Sequence, residues 1–523
     1  MRYDQAVLIE SLKNPACYKH PVETVTVIET HISYVLLTGG YAYKIKKPLD
    51  LGFLDFSTLD KRLFYCTEEL RLNRRLAPRI YLEVVPISGP TDRPQVGGTG
   101  QAIEYAVKMV QFSQDGMLDA LLQQDQLPAL RIDELAVIMA AFHAALTPEE
   151  GNSPYGSFEA VREFTVQNFD QIGSIHADAL DLSSLSRLRD WTESELERRK
   201  ADIQARRSGG FVRECHGDLH LGNVTLIDDR IVVFDCIEFN PGLRWIDVMN
   251  EAAFMAMDLQ ARSRGDCAAR FLNRYLELTG DYGGVSLLRF YLVYRAMVRA
   301  KVNWIRSHQD VVKDAVRAQA SEKYHRYLRL AQQYLDHPSP ALIITHGLSG
   351  SGKTTFTQPV LEALGAIRIR SDIERKRLFQ FPSVARTGAG IAEGIYGTDA
   401  GDRTYKRLAE LTALCLQAGW PVIVDATFLE RQRRDSFRRV AEKYDVPFLI
   451  LDFRASESSL KARVRARSEA ASDASDADLA VLQHQIANYK PLSDDEAAFT
   501  LGIDTERMNG VTAVEQIREL LAA

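Results

Sequence analysis

Residues 341–354 place a short apolar run directly before a glycine-rich loop that ends in Lys-Thr. The run is Ala-Leu-Ile-Ile-Thr-His, and the loop is Gly-Leu-Ser-Gly-Ser-Gly-Lys-Thr. A buried strand that enters a Gly-x-x-x-x-Gly-Lys-Thr loop and continues into a helix is the context that separates a phosphate-binding loop from a chance match. The glycines let backbone N–H groups turn inward, and the helix N-terminus adds positive potential. This feature predicts an α/β domain with a parallel sheet.

The loop predicts a nucleotide site built from consecutive residues. Lys353 is expected to reach the β- and γ-phosphates of ATP, and the Thr354 hydroxyl to bind Mg²⁺. A later strand, residues 421–425, ends in Asp425, which we assign to the outer shell of the same metal. The residues predicted to bind nucleotide here are Gly347, Leu348, Ser349, Gly350, Ser351, Gly352, Lys353, Thr354 and Thr355.

An Asp-x-x-Arg sequence follows a second predicted strand, residues 366–369. It resembles the acceptor site of polynucleotide-kinase, gluconate-kinase and zeta-toxin-like enzymes. That resemblance implies that Asp372 is the general base for an acceptor hydroxyl and that Arg375 holds acceptor or phosphate; a helix cap with a salt-bridging arginine is the alternative. Arg463 and Arg467 share one helix face and resemble lid arginines that neutralise the transferred phosphate. A basic, solvated helix explains those two arginines equally well.

A second catalytic pattern lies in residues 214–223, Glu-Cys-His-Gly-Asp-Leu-His-Leu-Gly-Asn. Phosphoryl transfer needs a carboxylate that orients the acceptor hydroxyl and takes its proton, and an oxygen ligand for Mg²⁺ on the same loop. Asp218 suits the first role and Asn223 the second. A predicted hairpin follows and ends at Asp235, which can return to the loop as the main metal carboxylate.

The His-Gly-Asp-Leu-His-x-Gly-Asn loop resembles the aminoglycoside-phosphotransferase-like branch of the protein-kinase-like fold, over roughly residues 20–330. The metal segment reads Asp-Cys-Ile-Glu from Asp235, where protein kinases carry Asp-Phe-Gly. The resemblance implies a bilobal α+β domain. It also implies that Asp247, at the predicted start of a helix, braces the catalytic loop, with a helix cap as the alternative. No Gly-x-Gly-x-x-Gly motif precedes the loop, so the phosphate cover of this lobe is unassigned.

Within this resemblance, Lys44 corresponds to the lysine that holds the α- and β-phosphates. It lies on a predicted strand, residues 41–46, that follows a Gly-Gly hairpin signal. Lys46 points to the same face of the strand and is the rival assignment. A predicted helix, residues 58–76, should supply a glutamate that pairs with the lysine; we choose Glu69, with Glu68 as the alternative.

The strand predicted for residues 102–110 occupies the position of the kinase hinge. Adenine is therefore expected to contact the backbone near Met109 and Gln111.

Length and composition set the limits of this interpretation. A chain of 523 residues exceeds one ordinary core, and the Asp-His-Pro-Ser-Pro run at 336–340 divides it into predicted domains 1–337 and 341–523. The net charge of −6 gives no global attraction to nucleic acid or acidic membranes. The six cysteines form no Cys-x-x-Cys pair, and no apolar run suggests a signal peptide or a membrane span. We therefore expect a cytoplasmic protein that does not associate with membranes.

Together these patterns predict a bifunctional phosphotransferase that depends on ATP and Mg²⁺ and has two nucleotide sites. Its expected partners are small-molecule hydroxyl acceptors. One alternative is that the C-terminal half is a kinase for 5′-hydroxyl nucleic acids. The basic residues Arg375, Lys376 and Arg377 would then bind the nucleic-acid strand. Another is a regulatory protein in which one domain only senses ATP and gates the other.

Overall fold

The computed structural model describes residues 5–50, 52, 54–174, 179–309, 313–336, 339–381, 398–470 and 478–522. The chain divides into two structural units. Unit 1 comprises Met1–Arg131, Ala145–Ala160 and Arg206–Glu251, and unit 2 comprises Ile132–Ala144, Val161–Ala205 and Ala252–Ala523. Residues 337–338 of the predicted domain boundary and 471–477 lie outside the described residues. Division of the chain at that boundary stays a prediction.

The strands are, in chain order, β1 (Thr26–Glu29), β2 (Ser33–Leu37), β3 (Tyr41–Lys46), β4 (Tyr81–Ser88), β5 (Gln95–Val96), β6 (Ala102–Val110), β7 (Val212–Glu214), β8 (Val224–Ile227), β9 (Arg230–Val233), β10 (Trp245–Asp247), β11 (Leu342–His346), β12 (Ile367–Arg370), β13 (Val422–Asp425), β14 (Phe448–Arg454) and β15 (Thr500–Asp504).

The helices are α1 (Gln5–Ser11), α2 (Leu59–Asn73), α3 (Leu118–Gln123), α4 (Ala129–Ala145), α5 (Phe158–Gly173), α6 (Ala179–Arg198), α7 (Lys200–Ser208), α8 (Pro241–Arg244), α9 (Val248–Ala261), α10 (Gly265–Thr279), α11 (Val285–Ser307), α12 (Asp314–Gln333), α13 (Lys353–Leu364), α14 (Ser371–Leu378), α15 (Thr398–Gln417), α16 (Arg431–Lys443), α17 (Glu457–Ala470), α18 (Leu479–Ala487) and α19 (Gly510–Ala522). Short 3₁₀ turns lie at Pro15–Cys17, Gln114–Gly116, Leu221–Asn223, Tyr282–Gly284 and Asp494–Phe499.

Unit 1 contains a six-stranded antiparallel sheet in the order β1-β2-β3-β6-β4-β5. The Gly-Gly signal at 39–40 joins β2 to β3, as predicted, and Gly39 has a φ of 90°. Helix α2 begins after Thr58, whose side chain accepts a hydrogen bond from Lys61 N. Its buried residues include Cys66, which packs with Tyr81 and Val107 of the sheet. Helix α2 therefore packs on the sheet that contains β3, which brings the two predicted sources of the Lys–Glu pair close together.

The catalytic loop lies between short strands that hold its two ends. Strands β7 and β10 pair antiparallel, with Val212 opposite Asp247, and β8 pairs with β9 after the loop. The β8–β9 turn has positive φ at Asp228 (49°) and Asp229 (58°), which is typical of the tight hairpin turn that matches strand twist. The prediction that a helix begins at residues 244–247 was wrong. Residues 245–247 form β10, and α9 begins at Val248.

Unit 2 contains a five-stranded parallel sheet in the order β12-β13-β11-β14-β15. The strands predicted from residues 341, 366, 421 and 448 are all present, and the central strand β11 is fully buried. Strand β15 was not predicted; it pairs with β14 along five residues. The predicted fold classes, a kinase-like α+β region followed by a parallel α/β P-loop domain, are confirmed.

The apolar core of this sheet also includes a residue that precedes the predicted domain boundary. Ala269 of α10 packs in one cluster with Ile343, Val360, Ile423 and Ile503. Helices α11 and α12 pack against each other in the same unit. Among the described helices, none is both long enough and apolar enough for a membrane span. None of the six cysteines forms a disulfide, and all six are buried.

The unpredicted strand supplies a test of the core. We expect Ile503→Ala to lower the free energy of unfolding by about 2–5 kcal/mol, because Ile503 is fully buried and its removal leaves a cavity in the sheet. Val511→Ala, at a side chain that is 69% exposed, should change it by less than about 0.5 kcal/mol. Urea denaturation of the nucleotide-free chain measures both. Equal effects would contradict the packing of β15.

Candidate active sites

In unit 1, Lys44 lies between two carboxylates. Its Nζ is 2.6 Å from Asp235 Oδ1 and 2.8 Å from Glu69 Oε1. The lysine side chain is 12% exposed, and that of Asp235 is 44% exposed, so this end of the cluster is open to a ligand. The arrangement unites three residues that the sequence assigned to nucleotide and metal.

Lys46, the rival assignment, lies on the same face of β3 but is fully buried. Its Nζ is 2.6 Å from Glu69 Oε2 and also pairs with Glu238. A fully enclosed ammonium has no free face for phosphate, so the geometry favours Lys44. Glu68 points elsewhere and pairs with Arg71 at 2.8 Å, so the geometry also favours Glu69 over its alternative.

This cluster fixes the charge of its members. Burial alone would raise the pKa of Glu69, but the two lysines lower it to about 2. Burial would lower the pKa of Lys44, but Asp235 and Glu69 hold it well above its ordinary value. Burial raises the pKa of Glu238, which shares Lys46 with Glu69. Lys44 and Glu69 are therefore both ionised across the physiological pH range.

The catalytic loop brings Asp218 and Asn223 together. Asn223 Nδ2 donates to the Asp218 carbonyl at 3.0 Å and to Asp218 Oδ2 at 3.2 Å. His220 Nδ1 accepts from Gly222 N at 3.1 Å, which places the proton on Nε2, 3.4 Å from Asp218 Oδ2. Phe234 N donates to the Asn223 carbonyl, so the backbone joins this pair to the segment that carries Asp235. Two side chains therefore orient the candidate base.

A second set of contacts holds the loop backbone. Glu251 accepts from His216 N at 3.1 Å and from Gly217 N at 2.6 Å. His216 Nε2 lies 2.8 Å from the Phe234 carbonyl, and burial lowers the pKa of this histidine, so it is neutral and donates through Nε2. Gly217 has a φ of 88°, and a Cβ there would lie 2.9 Å from the Leu243 carbonyl. Only glycine fits at this point.

Asp247, to which the resemblance gives the role of bracing the catalytic loop, contacts Arg206 and the start of α9. Its carboxylate accepts two hydrogen bonds from Arg206, at 2.5 and 2.7 Å, and one from Met249 N at 2.8 Å. The last is a local cap of α9. The carboxylate seen to accept from the loop backbone is Glu251.

Asp235 lies in the left-handed region, with a φ of 63°. This conformation costs an aspartate of order 1 kcal/mol or more and needs support. Asp235 N donates to Tyr81 Oη at 3.2 Å, and Cys236 N donates to Asn73 Oδ1 at 2.8 Å. The sheet and α2 therefore hold the backbone that aims this carboxylate at Lys44.

Met109 and Gln111 lie at and just after the end of β6. Met109 is opposite Ala42 of β3. Gln111 N donates to the Gly40 carbonyl at 3.2 Å, and its side chain accepts from Gly39 N at 2.9 Å. Gln111 is therefore fastened to the β2–β3 turn, and its N–H is already bonded.

In unit 2, the loop from Gly347 to Gly352 has the conformation of an anion cradle. Gly347, Gly350 and Gly352 have φ values of 140°, 82° and 88°. A Cβ on Gly347 would lie 2.6 Å from the Phe453 carbonyl. Lys353 Nζ folds over the loop and donates to the carbonyls of Gly347 and Leu348 at 3.0 and 2.8 Å. Helix α13 begins at Lys353, so its N-terminus points at the cradle.

The predicted metal residues of unit 2 are in direct contact. Thr354 Oγ1 donates to Asp425 Oδ2 at 2.6 Å. A hydroxyl and a carboxylate beside a phosphate cradle are hard oxygen donors, the type that a divalent cation such as Mg²⁺ prefers. Asn223, Asp218 and Asp235 give unit 1 a donor set of the same type. The residues present therefore fit a divalent metal in both units.

The predicted acceptor residues also lie together. Asp372 and Arg375 are in the first turns of α14, with Arg375 Nη1 3.4 Å from Asp372 Oδ1. Asp372 is close enough to Lys353 to raise its pKa. The structure does not support the expectation that the basic residues 375–377 line up along a nucleic-acid strand. Lys376 is fully buried, and Arg377 pairs with Glu374.

Arg463 and Arg467 occupy different positions. Arg463 donates to Thr505 Oγ1 at 2.8 Å and lies 3.5 Å from the Gly350 carbonyl, so it fastens the loop to the segment after β15. Arg467 is near enough to Lys353 for its charge to lower the lysine's pKa. Ser349 N donates to Gln485 Oε1 at 2.9 Å, which brings α18 onto the loop. Thr355 follows Thr354 in the first turn of α13.

Comparison with known proteins assigns both halves of the chain. Residues 65–288 match the phosphotransferase enzyme family, and residues 342–492 match an AAA-domain family of P-loop kinase-like proteins. The uncharacterised protein Rv2004c of Mycobacterium tuberculosis is 30% identical over 464 residues, which cover 88% of this chain and 90% of the relative. The uncharacterised protein Mb2027c of Mycobacterium bovis matches to the same extent.

The chain belongs to the same family as these mycobacterial proteins. Kinase-like families of these two types indicate phosphoryl transfer from ATP with a divalent metal.

Two solved structures illustrate the partial similarity of this chain to known folds. Amicoumacin kinase hAmiN, in complex with AMP-PNP, Ca²⁺ and Ami, is 15% identical, with 64% of this chain and 94% of that chain covered and a TM-score of 0.42. A gluconokinase from Sinorhizobium meliloti is 23% identical, with 35% and 90% covered and a TM-score of 0.25. Because these scores are low, the assignment rests on the family matches and the mycobacterial relatives.

Several residues that shape the fused protein's sites were not singled out from the sequence. They contact a site residue from a distant part of the chain or through a single side chain: Glu238, His220, Glu251, Tyr81, Arg370 and Gln485. His220 lies inside the catalytic loop, between Asp218 and Asn223, and could have been found there. Glu238 ends the Asp-Cys-Ile-Glu segment and could have been found there too. Glu251, Tyr81, Arg370 and Gln485 carry no signal of their own without a fold to place them.

The Lys353 ammonium generates a pH prediction. Burial lowers its pKa from 10.5 to about 8, so above about pH 8 the unliganded lysine loses its proton. Bound phosphates should raise this pKa again, and nucleotide binding near pH 8.5 should therefore take up about one proton. Lys44, with its raised pKa, should take up none.

Calorimetric titration of nucleotide into the chain, in buffers of different ionisation enthalpy, measures this proton uptake. Lys353→Met should abolish it, and Lys47→Met, which removes an ion pair with Glu29 just after β3, serves as the control. Proton uptake that persists in Lys353→Met would assign it to another group.

Proposed function

We propose that this chain is a bifunctional, Mg²⁺-dependent phosphotransferase with two ATP sites, which transfers the γ-phosphate to hydroxyl groups of small molecules. The observation that supports this most is that each unit has side-chain oxygens suited to a metal and a lysine suited to phosphate. In unit 2, Thr354 Oγ1 and Asp425 Oδ2 are 2.6 Å apart beside the loop that carries Lys353. In unit 1, Asp235 Oδ1 is 2.6 Å from Lys44 Nζ.

In unit 1, Lys44 would bind ATP phosphates while Glu69 holds the ammonium in place. Asp235 and Asn223 would hold Mg²⁺, which neutralises charge on the phosphates when bound. Asp218 is one-third exposed and would orient the acceptor hydroxyl and take its proton as the phosphoryl group transfers. The hydrogen bond from Asn223, and the His220 ring 3.4 Å away, keep this carboxylate aimed.

In unit 2, the loop N–H groups and Lys353 would bind the phosphates, with Thr354 and Asp425 toward the metal. Asp372 would accept the proton of the second acceptor. Arg375 lies beside Asp372 and is suited to hold acceptor or migrating phosphate. An ATP-sensing gate would need the same cradle but no acceptor base, so Asp372 distinguishes the two functions.

The acceptors can be identified by a transfer screen. Gamma-labelled ATP would be tested with sugars, nucleosides, aminoglycosides and 5′-hydroxyl oligonucleotides, using the full chain with either Asp218→Asn or Asp372→Asn to isolate the other site. We expect label on small hydroxyl compounds at both sites. Label only on oligonucleotides at the second site would favour the nucleic-acid kinase.

For unit 1 we expect different effects from its two aspartates. Asp218→Asn should reduce transfer by about 10²–10⁴, the usual contribution of a general base, with ATP affinity nearly unchanged. Asp235→Asn should weaken Mg-ATP binding itself, because it removes a charge from the metal site. Asp228→Asn, in the exposed β8–β9 turn, is the matched control. Equal losses of ATP affinity in the first two variants would contradict these roles.

For unit 2 we expect Asp372→Asn to leave ATP binding intact and slow acceptor phosphorylation by about 10²–10⁴. Arg375→Ala should raise the acceptor's KM or slow transfer, depending on which group the arginine holds. Single-turnover transfer from labelled ATP measures both. Asp402→Asn, at a side chain 70% exposed, is the control. An unchanged rate in Asp372→Asn would remove this residue from the mechanism.

A further inference from the structure

Helix α10 lies within the span that matches the phosphotransferase family, yet it contacts the edge of the P-loop sheet. Asn273 of this helix bonds the β12 backbone at two points. Its Nδ2 donates to the Ala366 carbonyl at 2.8 Å, and its Oδ1 accepts from Arg368 N at 2.6 Å. Strand β12 is the outer strand of the sheet, so Asn273 satisfies backbone groups that no neighbouring strand reaches.

One turn further along α10, Glu277 is buried at 4% exposure. Its Oε1 accepts from Arg368 Nη2 at 3.1 Å, and its Oε2 lies 3.8 Å from Arg370 Nη1. Arg368 and Arg370 are two residues apart and therefore share a face of β12. A carboxylate from outside the P-loop family match thus faces two arginines of the strand that leads to Asp372.

Each of these arginines also lies beside a candidate metal residue. Arg368 Nη1 donates to the Thr354 carbonyl at 3.1 Å. Arg370 Nε lies 3.9 Å from Asp425 Oδ2, the same oxygen that accepts from Thr354 Oγ1. Glu277 is therefore connected to both sides of the Thr354–Asp425 pair through one guanidinium each.

The position of Arg370 matters because it lies between two carboxylates. A guanidinium that moved onto Asp425 would compete with a divalent cation for that oxygen, since the two positive charges repel each other. Glu277 attracts the guanidinium in the opposite direction. Arg368 depends on Glu277 in a related way, because a buried arginine without its carboxylate carries an uncompensated charge.

We propose that Glu277 is a positioning residue of the P-loop site, which holds Arg368 and Arg370 so that Thr354 and Asp425 remain available to the metal of bound nucleotide. The site is thereby completed by a helix of the phosphotransferase region. This inference rests on the proposed function only in that unit 2 must bind nucleotide with a divalent cation.

The test measures how nucleotide binding to the full chain depends on Mg²⁺. ADP binding would be titrated calorimetrically over a range of Mg²⁺ concentrations, with Asp235→Asn present throughout to weaken the unit 1 site. The binding component that Lys353→Ala removes belongs to unit 2. We expect Glu277→Gln to raise the half-saturating Mg²⁺ concentration of this component about tenfold, an order of magnitude typical of one lost charge interaction at partial burial.

Two further variants separate positioning from loosened packing. Glu362 of α13 also pairs with helix α10, through Arg270 at 3.1 Å. Glu362→Gln removes this second ion pair between α10 and the P-loop region and should leave the Mg²⁺ requirement unchanged. Glu277→Gln combined with Arg370→Gln should bring the requirement back to the wild-type value or below it, because the released guanidinium is gone. An equal shift in Glu362→Gln, or no recovery in the double variant, would overturn the inference.

Should Glu277→Gln fail to fold, Arg370→Gln alone tests the same competition and is expected to lower the Mg²⁺ requirement; a rise would overturn the inference. If Lys353→Ala removes no binding component, unit 2 is not a nucleotide site, and both the proposed function and the positioning role fall. If that component is present but Glu277→Gln leaves its Mg²⁺ dependence unchanged, only the positioning role is wrong.

Discussion

An ionised side chain can be kept away from water only beside an opposite charge, and the candidate sites of this chain depend on that requirement. Glu69 shows it most clearly. It is fully buried and would be neutral on its own, but Lys44 on one oxygen and Lys46 on the other keep it ionised. Lys46 in turn holds Glu238, three residues after Asp235. These ion pairs therefore fix the positions of the sheet, helix α2 and the segment 235–238 relative to one another.

The same principle recurs in unit 2, with arginines in place of the lysines. There a single buried carboxylate, Glu277, faces two arginines of β12, while Thr354 and Asp425 contact each other beside the phosphate loop. In both units the candidate base is partly exposed, Asp218 at 33% and Asp372 at 28%, whereas Glu69 and Glu277, which hold the neighbouring cations, are buried. Substitution of an orienting residue should therefore alter both stability and ligand affinity, whereas substitution of a chemical group should alter mainly the reaction.

The motifs with fixed spacing were predicted well from the sequence, because each encodes its own local structure. The glycines of the phosphate loop and the Asp-to-Asn spacing of the catalytic loop require particular backbones wherever they occur. Contacts across long separations were not predictable in this way. Glu251 is 35 positions from His216, and Glu277 is 91 positions from Arg368, so only the fold brings them together. Strand β15 was missed because its pairing with β14, rather than its composition, makes it a strand.

The two hydrogen bonds from Asn273 to the outer strand have a consequence for how such a gene could be rearranged. A recombination event that carried only the sequence after the proline-rich break would leave behind the amide that covers β12 and the alanine that fills the core beside it. The transferred sheet would display open backbone groups along one side, the state that promotes association between sheets. The two halves are thus joined in their packing as well as in their reading frame.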